Sequence, residues 1–169
     1  MRLFIAINFD ENIKDTLIEL QSDLMQSGIS GNFTRPENLH MTLAFIGEYD
    51  DPKAVLDVMK KVPLRSFTIS IKDYRPFKDM YFADISESQE LHSYVKSLRA
   101  ALLDNEIPFD RKKFLPHVTL VRNSKRSEIL PMPVFSESDS MHVHGISLMK
   151  SERSKHGMVY TEIGYVTAF

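Results

Sequence analysis

Apolar and polar residues follow two different periods along this chain, and each period marks a different kind of element. Residues 2–9 are a mostly apolar run that predicts a buried strand. After Asp10 the apolar positions step by four, three and four residues as far as Gly28, as on the buried face of a helix. These apolar positions are Ile13, Leu17, Leu20 and Leu24.

Local start signals predict two more helices. Asp51 followed by Pro52 is typical of a helix start, because proline is favoured in the first turn. Ser86 and Gln89 have the spacing of a capping box, which predicts the start of a third helix. The apolar positions of these helices are Val55, Leu56 and Met59, then Leu91, Tyr94, Val95, Leu98 and Leu102.

Short alternating or apolar runs bounded by turn residues predict the remaining strands. They lie at residues 31–35, 39–46, 67–71, 80–85, 117–122, 141–150 and 158–165, with a turn at 36–38. The polar segment 123–140 contains two prolines and is predicted to be a surface loop. Strands and single helices in this order predict an α+β fold, with antiparallel sheets and helices on their outer faces. The alternative is a doubly wound parallel sheet.

Composition narrows the class of protein. The 169 residues suffice for a sizeable core, and we expect them to form a single domain. No apolar run is long enough to span a bilayer. No cysteine is present, which excludes disulfides and thiolate catalysis and favours a cytoplasmic location. Lys and Arg together number 21 against 23 Asp and Glu, so the chain lacks the basic surface that a long duplex requires. A few cationic side chains can still hold a short nucleic-acid end.

The tetrapeptide His-x-Thr-Leu occurs twice, at residues 40–43 and 117–120, with the histidines 117 − 40 = 77 positions apart. Chance supplies about 0.02 copies in a chain of this composition, so two copies indicate a function. Side chains two residues apart in a strand share a face, so His40 projects with Thr42, and His117 projects with Thr119. An isolated imidazole titrates near pH 6.5, so such a pair can hold one neutral and one protonated ring, as concerted acid–base catalysis requires.

A histidine on a predicted strand is weak evidence for a functional site when it stands alone. Taken singly, His40 or His117 is more simply explained as a strand histidine without a catalytic role. Only the repetition of the pair, each with its threonine, favours a catalytic role. His142 and His144 form a His-x-His pair on a predicted strand and resemble half of a metal site. Because no carboxylate or cysteine completes a ligand pattern there, we interpret them as solvent-facing and expect no metal.

Residues 35–48 resemble the first signature of the two-histidine phosphoesterases, and residues 114–122 resemble the second. The likeness is greatest to the bacterial and archaeal RNA 2′,3′-cyclic phosphodiesterases, also called LigT-like or 2′-5′ RNA ligase-like. Residues 1–7 are similar to the first strand of that family, and residues 146–160 to its closing hairpin.

The resemblance implies one bilobal domain spanning residues 1–169, in which two antiparallel sheets line a central cleft. It implies opening of a 2′,3′-cyclic phosphate to a 2′-phosphomonoester without a metal or other cofactor. In this family pattern His40 is the proton donor and His117 the proton acceptor. The expected partner is an RNA 3′ end or a small cyclic nucleotide phosphate, bound by a monomer that does not associate with membranes.

Further candidate residues surround this pair. Thr42, Thr119 and Arg122 are candidate phosphate ligands, because hydroxyl and guanidinium donors match phosphate oxygens. Strict alternation places Arg122 on the opposite face from His117, so it reaches the cleft only if the strand ends or twists there. Phe45 and Tyr160 are candidates for stacking on a base.

Two alternative functions stay open at the level of sequence. The same site chemistry suits 2′-5′ RNA ligation, a 2′-5′ oligonucleotide phosphodiesterase or another small cyclic nucleotide phosphodiesterase. A non-catalytic module that binds RNA ends is the alternative from a different class.

Overall fold

The structure, a computed structural model, describes residues 1–86, 88–125 and 139–169. The elements follow one another as β1 (Arg2–Asn8), α1 (Glu11–Gln26), β2 (Ser30–Phe33), a 3₁₀ turn (Pro36–Asn38), β3 (His40–Glu48), α2 (Pro52–Lys61), β4 (Phe67–Phe77), β5 (Met80–Ile85), α3 (Gln89–Asp104), β6 (His117–Lys125), β7 (Ser140–Val143), β8 (Gly145–Ser154) and β9 (Gly157–Thr167).

Within the described ranges, the nine strands form two sheets in which every paired neighbour is antiparallel. The first sheet has the order β3-β1-β8-β9, and the second has the order β2-β6-β5-β4-β7. The predicted bilobal α+β fold is therefore confirmed, and the doubly wound parallel alternative is wrong. In the part of the chain that the structure describes, no helix is long and apolar enough to cross a membrane.

The central strand β1 separates the main core from the cleft. Leu3, Ile5 and Ile7 point into a core shared with the helices, where each is almost fully buried. Phe4 and Ala6 point to the opposite face and form a smaller apolar cluster with Met149. Because one face of this sheet packs in the core, the other face is left to line the cleft.

The chain contains an internal repeat that extends beyond the two tetrapeptides. Helices α1 and α3 each have 16 residues, and their N-cap residues Asp10 and Ser88 are 88 − 10 = 78 positions apart. Each helix is followed by a residue in the left-handed region, Gly28 with φ of 87° and Glu106 with φ of 58°. The unit β1–α1–β3 therefore corresponds to the unit β5–α3–β6, with one histidine strand in each.

Three local predictions are corrected. The third helix is capped by Ser88, whose side chain accepts from the Leu91 amide, whereas the Ser86 hydroxyl bonds to that of Ser70 at 2.7 Å. The predicted strand at 141–150 is two strands in different sheets, divided at His144. The strand predicted at 39–46 runs from His40 to Glu48.

The predicted surface loop at 123–140 is only partly testable. Residues 123–125 belong to β6, and Ser140 begins β7. The rest of that prediction falls largely on residues 126–138, which lie outside the described residues.

Candidate active site

Both candidate histidines stand at the first position of a strand, and both rings are oriented in the same way. The Nδ1 atom of His40 lies 2.6 Å from the carbonyl oxygen of Asn38, and Nδ1 of His117 lies 2.5 Å from that of Leu115. A carbonyl only accepts, so Nδ1 carries the proton and donates in each ring. Nε2 of each neutral imidazole is then left with a lone pair for proton exchange.

Aromatic rings hold both imidazoles in place from the neighbouring strand. Phe4 of β1 lies 4.9 Å from His40, and Phe82 of β5 lies 4.2 Å from His117, between ring centroids. Tyr160 of β9 meets His40 edge to face at 5.2 Å. These contacts limit ring rotation, so the nitrogen positions are set before any ligand arrives.

The two histidine strands converge on one small cavity of about 110 Å³. The predicted pairs His40–Thr42 and His117–Thr119 all line it, together with Arg122 and others. Nε2 of His40 also lies 3.0 Å from the Thr42 hydroxyl. The structure thus brings together two imidazoles, two hydroxyls and one guanidinium, a set that can surround a single phosphate group.

Arg122 reaches this cavity because β6 contains a bulge. Tyr81 pairs with Val121, but the next residue Phe82 pairs with Thr119, so Leu120 is an extra residue. Leu120 and Val121 are then both buried, and Arg122 returns to the face of His117. Strict alternation fails here because of this bulge, whereas the prediction from sequence allowed only for a strand end or a twist at Arg122.

A matching bulge in β3 brings Phe45 into the cleft. Ile5 pairs with Ala44 and Ala6 pairs with Thr42, which leaves Leu43 as the extra residue. Phe45 then lines a second, larger cavity of about 630 Å³ that also adjoins His40 and Tyr160. Relative to its histidine, Phe45 occupies the position that Arg122 occupies in β6.

The larger cavity is rimmed by cations. Arg2, Lys150 and Arg153 line it beside Phe45 and Tyr160, and the guanidinium of Arg2 lies 5.1 Å from the centre of the Phe45 ring. Two acidic residues also line it, Glu48 with the N-terminal ammonium at 3.2 Å and Glu152 with Lys150 at 3.1 Å. The combination of aromatic faces and cations suits a nucleotide next to the phosphate position.

The surroundings of His40 disfavour its protonated form. Burial lowers the pKa of His40 below its ordinary value of 6.5, and the positive charge of Arg122 and the neighbouring His117 ring lower it further. The hydrogen bond to the Asn38 carbonyl acts in the opposite direction and is outweighed. These surroundings favour a neutral His40, and an anion bound beside it would favour the protonated form.

Sequence reasoning missed several residues that build the site. Phe4 and Phe82, which support the imidazoles, occupy corresponding positions in the two repeats, so aligning the repeats in the sequence was the signal that could have found them. Asn38 was assigned only to a turn. Its carbonyl orients His40, and its side-chain amide donates to the Met158 carbonyl of β9 at 2.9 Å, which ties the closing hairpin to β3.

The second histidine pair lies outside this site. The rings of His142 and His144 are 5.1 Å apart and exposed, as predicted, and His142 contacts the hydroxyls of Ser66 and Thr68. Across residues 1–86, 88–125 and 139–169, no group of three or more His, Cys, Asp or Glu side chains is arranged to hold a metal ion.

Comparison with known proteins agrees with this geometry. The family described as LigT like Phosphoesterase matches residues 7–80 and 84–160. A Thermotoga maritima protein named RNA 2′,3′-cyclic phosphodiesterase is 30% identical over 132 residues, covering 72% of this chain and 70% of that protein. A Methanothermobacter thermautotrophicus protein of the same name is 26% identical over 180 residues, covering 96% of each chain.

Solved structures show the same fold. The crystal structure of TT0787 from Thermus thermophilus has a TM-score of 0.84 at 25% identity, covering 99% of this chain and 97% of that one. Apo LigT from Escherichia coli has a TM-score of 0.84 at 23% identity, covering 99% and 96% of the two chains.

Proposed function

Because the chain belongs to the LigT like phosphoesterase family, we propose that it hydrolyses 2′,3′-cyclic phosphate ends of RNA to 2′-phosphomonoesters. The observation that carries this proposal is the convergence of two His-x-Thr strands on one cavity of about 110 Å³. The relatives from Thermotoga maritima and Methanothermobacter thermautotrophicus, both named RNA 2′,3′-cyclic phosphodiesterase, support it.

In the proposed mechanism, water attacks phosphorus and the bond from phosphorus to the ribose 3′ oxygen breaks. His117 accepts a proton from the water through Nε2, while His40 donates a proton to the departing 3′ oxygen. The 2′ oxygen keeps the phosphate, so one water is consumed and a 3′ hydroxyl is formed. The shared Nδ1 geometry supports these roles, because it leaves Nε2 of both rings for the reaction.

The phosphate itself favours the protonation state that this assignment requires. Burial, the charge of Arg122 and the neighbouring His117 ring lower the pKa of His40. An anionic cyclic phosphate in the cavity opposes the effect of Arg122 and favours a protonated His40. Thr42 and Thr119 then donate hydrogen bonds to the non-bridging oxygens, together with Arg122, where negative charge grows in the transition state.

The larger cavity favours a nucleotide chain over an isolated phosphate. In this proposal Phe45 and Tyr160 contact a base, and Arg2, Lys150 and Arg153 attract the backbone phosphates. A cytoplasmic location, based on composition, a single domain over residues 1–169, based on length, and a monomeric state, implied by the family resemblance, also stay predictions.

The decisive experiment incubates the purified chain, with a chelator present, with an oligonucleotide that ends in a 2′,3′-cyclic phosphate. We expect a product that gains the mass of one water and becomes sensitive to a phosphomonoesterase. Unchanged substrate that is nevertheless retained by the protein would favour the RNA-end-binding alternative. A joined 2′-5′ product would favour the ligase alternative.

Single substitutions test the two roles. His40→Ala and His117→Ala should each reduce kcat about 10²- to 10⁴-fold, which is the usual contribution of a positioned acid or base. The double variant should lose much less than the product of the two factors, because the two groups act in one step. His142→Ala, an exposed strand histidine outside the cavity, is the matched control. Near-normal turnover in either single variant would refute the acid–base assignment.

A further inference from the structure

Helices α1 and α3 each carry one polar side chain that extends to backbone carbonyls of the histidine strands. These are Gln21 and Arg99, which occupy the same position in the two repeats, since 99 − 21 = 78, the offset between the helix caps. Gln21 is only 4% exposed, so its amide is committed to protein partners. Apolar side chains dominate the buried faces of both helices, so two buried or half-buried donors at one repeat position require a reason.

The contacts of the two side chains correspond along the repeat. The Gln21 amide donates to the carbonyl of Thr34 at 2.8 Å and to that of Leu120 at 3.0 Å. Arg99 donates to the carbonyl of Leu43 through Nε at 3.2 Å and Nη2 at 3.0 Å.

The third guanidinium nitrogen completes the correspondence. Nη1 of Arg99 donates to the carbonyl of Lys112 at 2.7 Å. Thr34 precedes His40 in one repeat, and Lys112 precedes His117 in the other. Gln21 therefore links the segment before His40 to strand β6, which carries His117. Arg99 links the segment before His117 to strand β3, which carries His40.

The strand carbonyls belong to the two bulge residues. Leu43 is an extra residue in β3 where it pairs with β1, and Leu120 is an extra residue in β6 where it pairs with β5. These bulges turn Phe45 and Arg122 into the cleft, and they follow each histidine at the same distance. A bulge interrupts regular pairing, and although the Leu120 carbonyl also accepts from the Thr34 amide at 3.0 Å, the donor from the helix adds a further bond that stabilises the bulged backbone.

We propose that Gln21 and Arg99 are a matched pair of positioning residues that fix the distance between His40 and His117. Each joins the segment that leads into one histidine to the strand that carries the other, so the two repeats are linked twice in opposite directions. This inference rests on the proposed two-histidine reaction. Neither side chain touches the substrate cavity of about 110 Å³, and both act through the backbone.

If Gln21 and Arg99 position the histidines, removing their donors should change kcat more than KM. Both imidazoles must reach one phosphorus atom, and a misplacement of about 1 Å in a reacting group can cost about 100-fold in rate. Gln21→Met and Arg99→Met keep an unbranched side chain but remove the donors. We expect each to reduce kcat about 10- to 100-fold while KM changes less than about threefold. Assays run well below the melting temperature of each variant, as determined by circular dichroism.

Repeating the substitutions in a His40→Ala protein distinguishes a positioning role from general destabilisation. In a His40→Ala protein the concerted pair no longer exists, so adding Gln21→Met or Arg99→Met should reduce the residual single-turnover rate little further. Arg99→Lys retains a cationic donor and should keep more kcat than Arg99→Met. Arg111→Met is the matched control, because Arg111 and Arg99 lie over the same Phe109 ring at 5.8 Å and 5.9 Å.

The outcomes distinguish the inference from the function on which it rests. A wild-type chain that does not hydrolyse the cyclic phosphate overturns both. An active wild-type chain whose Gln21→Met and Arg99→Met variants keep kcat overturns the inference alone. The same holds if those variants lose equal factors with and without His40, or if Arg99→Lys is no better than Arg99→Met.

Discussion

Arg122 offers a quantitative test of the site, because it lines both cavities and the bulge in β6 alone brings it there. The perturbation is Arg122→Met, which keeps an unbranched chain and removes the charge and the donors. A hydrogen bond to a charged group contributes about 1.5–3 kcal/mol. The Arg122 side chain is exposed, so water screens it and the lower part of that range applies.

A loss of about 1.5–2 kcal/mol corresponds to a decrease of about 10- to 30-fold in kcat/KM, at about 1.36 kcal/mol for each factor of ten. The assay measures kcat/KM for an oligonucleotide with a 2′,3′-cyclic phosphate end. Arg111→Met, which removes an exposed arginine outside both cavities, is the control and should behave as wild type.

The same variant should shift the pH profile. The positive charge of Arg122 lowers the pKa of His40, so its removal raises that pKa. If a protonated His40 is the acid, the decrease of kcat/KM on the alkaline side moves to higher pH in Arg122→Met. The limb belongs to the coupled histidine pair, and the direction of its movement is the observable. Unchanged kcat/KM together with an unchanged profile would refute the placement of Arg122 beside the reacting phosphate.

Two further predictions concern stability. The buried Tyr94 hydroxyl has no hydrogen-bond partner among the described residues, so Tyr94→Phe should raise the free energy of unfolding in urea by about 1 kcal/mol. Because the pKa of His40 is lowered in the folded protein, His40 binds its proton at a higher pH in the unfolded chain than in the folded one. This contribution to stability is present above pH 6.5 and is lost as pH falls through the lowered folded-state pKa, so His40→Gln should lessen the loss of unfolding free energy between about pH 7.5 and pH 5.

Each of these has a matched comparison. Tyr165→Phe, at a side chain that is 47% exposed, should leave the unfolding free energy unchanged. A destabilised Tyr94→Phe protein would show that its hydroxyl has a partner after all. His142→Gln is the comparison for the acid titration, and an identical pH dependence in His40→Gln and wild type would contradict the effect of burial on His40.

Helix starts and buried stripes were predictable from the sequence where the signal is local. Asp10 and Asp51 accept hydrogen bonds from amides three residues later, as their positions before each helix predicted. The third helix was misplaced by two residues because Ser86 and Ser88 both have cap chemistry. Tertiary contacts decide between them: Ser86 bonds to Ser70 of β4 and leaves Ser88 to cap the helix.

Features that depend on a distant strand were not predictable. The bulges at Leu43 and Leu120 are defined by pairing with β1 and β5, and nothing within the tetrapeptides themselves indicates them. The division at His144 also arises from long-range pairing, because β7 joins β4 while β8 joins β1. A continuous apolar pattern can supply either sheet, so the sequence alone predicted one strand there.

The order of strands in the first sheet has a consequence for biosynthesis. Strand β1 emerges from the ribosome well before its neighbour β8 (Gly145–Ser154), which is among the later segments made. Until then one edge of β1 has no partner, and chaperone binding or self-association competes for it. In the second sheet, hairpin β4–β5 and strand β6 pair with one another and can assemble before β8 is made. We therefore expect the β4–β5–β6 part of the second sheet to gain protease resistance before β1 does on stalled nascent chains.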